Sequence, residues 1–238
     1  MDMIINRLSH YADIGATQFQ TLSSLSHRIE TRQAGEDIVI EGEVVDYVFI
    51  IESGWAIRYR LLDDGRRQIM NFMLPGDCFD LMSLTKSASD HNVSAASEVV
   101  LRRIKATDFF NAIRGDSCLS LAFWWVAIQE EAILREQIVR NGRLSAKERL
   151  GNLILELNRR LSISTGRQDN SVAIPVTQNH LADALGLSSV HISRSMGKLS
   201  REGYIAVESW GIQILNRDAL AEMAEFDDRY LQTPKLSF

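Results

Sequence analysis

Between positions 188 and 198 the chain concentrates side chains suited to touching nucleic acid: Ser188, Ser189, Val190, His191, Ser193, Arg194 and Lys198. Presented on one face of a helix, they match what a DNA major groove offers. An arginine can form two parallel hydrogen bonds to guanine O6 and N7, and a valine can rest on a thymine methyl. Serine hydroxyls and an imidazole can bond to base edges or phosphates, and a lysine can displace counterions from the backbone. Thr177 and Gln178, at the start of the preceding apolar pattern, complete the candidate contact set. The partner these residues imply is double-stranded DNA.

Residues 174–215 supply the elements that would hold this face. Thr177 has the side-chain oxygen of a helix N-cap. Leu181, Ala182 and Leu185 follow at the spacing of one buried helical face. Gly186 can take the left-handed conformation that ends a helix. Ser188 can cap a second helix, in which Ile192, Met196 and Leu199 form the inward stripe and the polar set faces out. Gly203 closes that helix. Residues 204–207 and 211–215 then read as two strands around a turn at 208–210. Helix, turn, recognition helix and hairpin in that order make a winged helix-turn-helix. A helical hairpin with a merely solvated polar face would not need the glycine turn, both caps and the trailing hairpin.

The 238 residues are 45% hydrophobic and 24% charged, with a formal charge of −5. An acidic chain is at first sight a poor ligand for DNA, but the charge is unevenly spread. Residues 143–217 hold ten Lys and Arg against six Asp and Glu, an excess of +4 that leaves −9 for the remainder. The basic part is the part with the reading helix. Its modest excess implies strongly salt-dependent binding, helped by two copies acting together. No apolar run approaches the ~20 residues of a membrane span, and residues 1–15 lack the regions of a signal peptide. Cys78 and Cys118 are too few for a disulfide framework. The expected compartment is the cytoplasm, with no membrane partner.

Upstream, Leu8, Tyr11, Ile14, Phe19, Leu22, Leu25 and Ile29 supply the apolar positions of one or two short helices in residues 4–30. Residues 31–104 switch to strand-like alternation, with Ile38 and Ile40, Val48 and Ile50, Ile57, Tyr59 and Leu61, then Ile69 and Phe72. Asp64 followed by Gly65 is a strong hairpin signal, LPGDCF at 74–79 holds a Pro-Gly turn, and 97–104 is a last strand. Many short strands at about ten-residue spacing imply an antiparallel barrel or sandwich. A small roll of that kind leaves room for one ligand. Thr107 is expected to cap a short helix that Gly115 ends. Residues 117–141 then read as one long helix, in which Leu121, Trp124 or Trp125, Ile128, Ala132, Arg135 and Ile138 approximate a seam of alternating three and four. Its length, and its apolar character all round near 123–125, favour a helix covered on one side by the roll and on the other by a second copy. Asn141 and Gly142 are expected to form a hinge. Ser145 can cap the next helix, with Leu150, Leu153, Ile154, Leu157 and Leu161 facing inward. Residues 218–230 read as a closing helix and 231–238 as a loose tail. The expected fold class is α+β in three parts: N-terminal helices and an antiparallel β-roll sensor (1–116), a dimerisation helix with its hinge (117–142), and a winged helix-turn-helix DNA-binding domain (143–238).

This order resembles the CRP/FNR family of bacterial transcription regulators (the cyclic-AMP receptor protein / fumarate–nitrate regulator type) over nearly the whole chain. Three stretches carry the likeness: AGEDIVIEGEVVDYVFIIESGWAIRY at 34–59, LPGDCFDLMSL at 74–84 and, most specifically, VTQNHLADALGLSSVHISRSMGKLSREGYI at 176–205. The resemblance implies a cyclic-nucleotide-binding-like roll, a homodimer on a palindromic site, and RNA polymerase as a further partner. It places Arg194 where the family's arginine reads a guanine. Ser193 and Arg194 look like the Ser-Arg pair with which the fumarate–nitrate branch reads a TTG-like half-site. The family commonly has Glu three or four residues before that arginine, where this chain has Val190 and His191, so operator preference is expected to diverge there. The ligand pocket implied lies around Phe79, Leu81, Met82, Ser83, Asp90 and Asn92.

Cyclic-AMP binding in the family uses a Glu after the PGD turn and an Arg-Ser pair on the phosphate loop. Here Leu81 stands at the Glu position and residues 87–97 contain no Arg, with Lys86 as the one nearby substitute cation. A phosphate without its cation loses its charge-assisted bonds. The expectation is a sensor that does not take cyclic AMP in the family's manner, with an unidentified small-molecule effector or none. An iron–sulfur cluster needs four thiolates as a rule, which two cysteines cannot supply. The cofactor is left unassigned. Alternatives are a haem-responsive regulator using His10, His27 or His91, a redox-responsive one using Cys78, or a roll that acts through protein partners. An enzyme of the cupin type would need clustered His and carboxylates on facing strands. Residues 31–104 hold a single histidine, His91, so neither a catalytic nor a metal site is expected.

Overall fold

The computed structural model describes residues 1–209 and 211–232. Two short helices, α1 (Asp2–Ser9) and α2 (Ala16–Ser24), lead into strands β1 (His27–Arg32), β2 (Asp37–Val39), β3 (Tyr47–Ser53), β4 (Ala56–Leu61), β5 (Arg67–Met73), β6 (Cys78–Phe79), β7 (Asn92–Ala95) and β8 (Val99–Lys105). A 3-10 turn (Leu81–Thr85) links β6 to β7. The strands form two four-stranded sheets in the orders β1-β8-β3-β6 and β2-β7-β4-β5, antiparallel throughout. Alternation sends one face of each strand inward. Val39, Phe49, Ile51, Ala56, Met73, Phe79, Val93, Val99 and Leu101, drawn from both sheets, make one apolar cluster. In it the Phe49 and Phe79 rings stack with centroids 5.1 Å apart. Gly54 turns β3 into β4 at φ +77°, where a Cβ would lie 2.0 Å from the Glu98 carbonyl oxygen, so only glycine fits. The expected β-roll is present.

A second apolar cluster joins the first sheet to the helices on it. Val48, Ile50 and Ile104 pack with Ile4, Leu8, Tyr11 and Leu22, with Phe109 of α3 (Ala106–Arg114), and with Leu119 and Phe123 of α4 (Ser117–Arg143). The C-terminal unit comprises α5 (Ala146–Thr165), β9 (Ser171–Val172), α6 (Gln178–Leu185), α7 (Ser189–Arg201), β10 (Ile205–Glu208), β11 (Gly211–Ile214), α8 (Arg217–Met223) and a second 3-10 turn (Asp228–Leu231). Its core is continuous with the second sheet. Trp55, Ile57, Tyr59, Ile69 and Phe72 belong to the same apolar cluster as Leu150, Leu153, Ile154, Leu181, Ile192 and Leu199. The wing pairs β10 with β11, and β9 adds a third strand.

Several boundaries differ from the sequence reading. Ile29 lies in β1 and is exposed, because β1 starts before the expected switch and pairs with β8. Strand β7 runs through a stretch to which the sequence assigned no strand, held by pairing to β2 and β4. Thr107 lies inside α3, whose N-cap is Lys105 with no side-chain cap. The pair Asn141 and Gly142 is not a hinge. Helix α4 continues through both to Arg143, and the chain turns at Leu144 in extended backbone (φ −80°, ψ 152°) before Ser145 caps α5. No close approach requires glycine at 142, where a Cβ would meet nothing within 4 Å, and the Asn141 side chain donates to the Ala184 carbonyl. The closing helix is broken into α8 and the second 3-10 turn, with Glu225 at φ 47° between them. Trp210 in the expected wing turn, and residues 233–238 of the expected tail, lie outside the described residues.

Candidate nucleic-acid interface

The reading head is assembled from local signals. Thr177 Oγ1 accepts the His180 backbone N–H at 3.2 Å, which caps α6. Gly186 ends α6 at φ 63°, a left-handed conformation that lets the chain turn sharply into α7. Ser188 Oγ accepts the His191 backbone N–H at 3.3 Å and caps α7. Ile192 and Leu199 are fully buried beneath α7, and Met196 packs partly against the same core. With that stripe inward, Val190, His191, Ser193, Arg194 and Lys198 are exposed and Ser189 is half-buried. Thr177 and Gln178 are exposed at the start of α6. The His191 ring sits with Nδ1 3.0 Å from Ser188 Oγ, so the cap also orients the imidazole.

Helix α7 contains no acid, and Glu202, just past its end, is held by Lys147 at 2.7 Å. Arg194, Lys198 and Arg201 recur at i, i+4 and i+7, which places three exposed cations along one stripe. Arg201 is absent from the sequence-derived set, although its spacing from Lys198 is the signal that would have found it.

The back of the head is held firmly. Arg67 of β5 pairs with Asp183 of α6 at 2.8 Å. The Ala184 carbonyl accepts from Asn141 Nδ2 at 2.9 Å and Gln68 Nε2 at 3.3 Å, and the Leu185 carbonyl accepts from Arg149 Nη1 at 3.1 Å. These side chains satisfy carbonyls at the end of α6 that a helix leaves unpaired. Burial, with the nearby Arg67 charge, lowers the His180 pKa.

The long helix divides its faces. Ala132 is buried within the chain, and Leu121, Trp125 and Ile128 are half-buried. Trp124 (61% exposed), Leu134, Arg135 and Ile138 (72% exposed) face outward. The uncovered stripe therefore runs Trp124, Ala127, Glu131, Leu134 and Ile138, with Ala132 outside it. The all-round apolar character near 123–125 obscured which side the chain itself covers.

In the roll, Phe79 and Ser83 are buried, Leu81 is half-buried, and Asn92 Oδ1 accepts the Glu41 backbone N–H at 3.0 Å. Met82 (73% exposed) and Asp90 point outward, so they do not line the interior. The unsatisfied chemistry of this region lies elsewhere. Among the described residues Arg58 Nε, Asp80 Oδ2 and Ser83 Oγ are buried without a hydrogen-bond partner. His91 stands between Asp90 (2.8 Å) and Asp80 (3.3 Å). Burial works to lower the His91 pKa, but its bonds to Asp80 and Asp90 outweigh that and leave it raised.

Cys78 is fully buried, and burial pushes its thiol far above the ordinary range, which removes the thiolate a redox switch would use. His27 has both ring nitrogens engaged, with Leu25 O at 2.8 Å and Arg102 Nη1 at 2.6 Å, and His10 Nε2 lies 3.1 Å from Leu231 O. Among the described residues no group of three or more His, Cys, Asp or Glu is arranged to hold a metal ion, and no helix is long and apolar enough to cross a membrane.

Comparison with known proteins agrees with this geometry. The cyclic nucleotide-binding domain family matches residues 29–116, and the Crp-like helix-turn-helix domain family matches residues 148–223. The chain is 31% identical to the nitrogen fixation regulation protein FixK of Azorhizobium caulinodans, over 78% of this chain and 73% of that one. It is also 31% identical to FixK of Bradyrhizobium diazoefficiens, over 90% and 89%. The structure of FixK2 from Bradyrhizobium japonicum superposes with a TM-score of 0.74 at 27% identity, covering 84% of this chain and 98% of that one.

Proposed function

Because this chain belongs to the CRP/FNR family of DNA-binding transcription regulators, which are not enzymes, we propose that it acts as a homodimer on a palindromic operator with TTG-like half-sites. The observation that carries this is the α7 face: Val190, His191, Ser193, Arg194 and Lys198 stand exposed above a buried Ile192 and Leu199. In this reading Arg194 reads a guanine and Val190 a neighbouring methyl, while Ser189, Ser193, His191 and Lys198 bond to bases or phosphates. Thr177, Gln178 and Ser188 meet the backbone near the two helix starts. Two copies associate through the outward stripe of α4, with Trp124 and Ile138 as its apolar anchors. The division of labour follows the chain: 1–116 sense, 117–142 pair the copies, and 143–238 read DNA. RNA polymerase is the onward partner.

The sensor does not take cyclic AMP in the family's manner. Residues 87–97 offer the carboxylate of Asp90 beside His91 where a phosphate would need a fixed cation. The deciding experiment is selection of genomic DNA fragments by the purified protein, followed by sequencing. Recovery of an inverted repeat by wild type, and its loss with Arg194→Ala, supports the reading. Recovery of no common motif overturns it.

A further inference from the structure

A ladder of buried charges crosses from the roll into the reading unit, and the DNA contacts make no use of it. Arg7 of α1 pairs with Asp77 in the turn between β5 and β6. The second Asp77 oxygen accepts from Arg160 Nη2 of α5 at 2.9 Å. That guanidinium also donates to the Phe72 carbonyl at 2.7 Å and to Asn71 Oδ1 at 3.1 Å, so three acceptors of the roll share one arginine of the reader. One turn back on α5, Glu156 lies 3.6 Å from Arg160 and accepts from Arg140 Nη1 of α4 at 3.0 Å. These five side chains are each less than one-tenth exposed, and their charges alternate in sign along the ladder.

Burying ions costs desolvation, and an apolar contact of the same size would hold the two units together at least as well. What a forked guanidinium with three fixed acceptors adds is direction. The docking it enforces uses the back of the reader and leaves both the α7 face and the α4 stripe exposed. We infer that Arg160 is a positioning residue for DNA reading: gripping Asp77, Phe72 and Asn71, it sets the angle at which the winged helix-turn-helix stands on the roll, and so the separation of the two reading heads in the dimer. Asp77 lies in the PGD turn one residue before β6, so any effector that moves the roll at this turn reaches the reader through it.

This rests on the dimeric operator reading above, and the test separates the two. Duplexes carry the inverted half-sites recovered by genomic selection at native spacing, or with one base pair inserted or deleted. One added base pair rotates the second half-site by about 34° and moves it about 3.4 Å. Wild type is expected to prefer native spacing by about tenfold or more, while Arg160→Gln and Asp77→Asn narrow that ratio to about threefold or less. The ratio is independent of the fraction of active protein, so a general loss of stability would not move it. Should Arg160→Gln fail to fold by circular dichroism, Arg160→Lys keeps the charge without the fork and carries the same expectation. A folded variant as spacing-selective as wild type overturns the inference and leaves the dimer intact. A wild type indifferent to spacing overturns the dimer reading, and this inference with it.

Discussion

Replacing Arg194 with alanine tests the reading head with the least disturbance to the fold. Its side chain is exposed on α7 and has no ion-pair or hydrogen-bond partner among the described residues. Truncation should therefore change unfolding stability by no more than about 0.5 kcal/mol. On DNA the loss is of another size. A bidentate arginine–guanine pair is worth about 1–3 kcal/mol of discrimination. A dimer loses it twice, so the two-site operator should bind about 2–6 kcal/mol more weakly, roughly 30-fold at the low end and 10⁴-fold at the high end. The cation also contributes to phosphate neutrality, so the salt slope should fall slightly, while non-specific binding weakens far less. Fluorescence anisotropy with the operator, and with the operator altered at the contacted guanine, measures both effects at fixed salt. The signature is a variant that binds the two duplexes alike. Equal affinity of variant and wild type for the operator, or a variant that still distinguishes the altered base pair, would refute the assignment of Arg194 as the base reader.

Other outcomes follow from the same structure. Ile138→Glu places a charge in the exposed α4 stripe of each copy and should convert the dimer to monomer by sedimentation, with little change in far-UV circular dichroism; a dimer that persists would put the seam elsewhere. Gly54→Ala drives a methyl to within 2.0 Å of the Glu98 carbonyl oxygen. It should cost about 2 kcal/mol or more and lower the melting temperature by roughly 4–8 °C. The raised His91 pKa means that its contacts with Asp80 and Asp90 contribute stability in full below the ordinary value of 6.5, and that this is lost as pH rises through the raised value. His91→Gln should therefore cost more stability in urea melts at about pH 5.5 than at about pH 8.5. The opposite order would mean that burial outweighs the carboxylates.

The reading head was legible because its determinants are local. Caps at Thr177 and Ser188, the left-handed Gly186 and a buried stripe of period 3.6 all lie within a few residues of what they shape. Strand β7 was not legible. The sequence NVSA does alternate, with Val93 and Ala95 in the core cluster, but four residues are too short a run to announce a strand, which exists because β2 and β4 offer it hydrogen bonds from both sides. The α4 seam was only partly legible, since a helix apolar all round does not announce which neighbour covers which face. Arg160 gave no local sign at all. It reads as an ordinary helix-surface cation, and its partner Asp77 is 83 positions away. Arrangements made by tertiary packing alone leave no trace in periodicity.

The connection between α4 and α5 has a mechanical consequence. Only Leu144 and Ser145 separate the two helices, so any reorientation of the reader against α4 is confined to a pivot of very few dihedral angles. Beyond the pivot, α5 extends 20 residues, a lever of about 30 Å. A rotation of about 6–7° at the pivot would move the far end, where Asn6 of α1 donates to the Ser164 carbonyl, by about 3.4 Å. The same turn would carry Arg160, about 22 Å from the pivot, about 2.5 Å off Asp77 and the Phe72 carbonyl, so the buried charges clamp the reader at the long end of its lever, where a small angular error is largest.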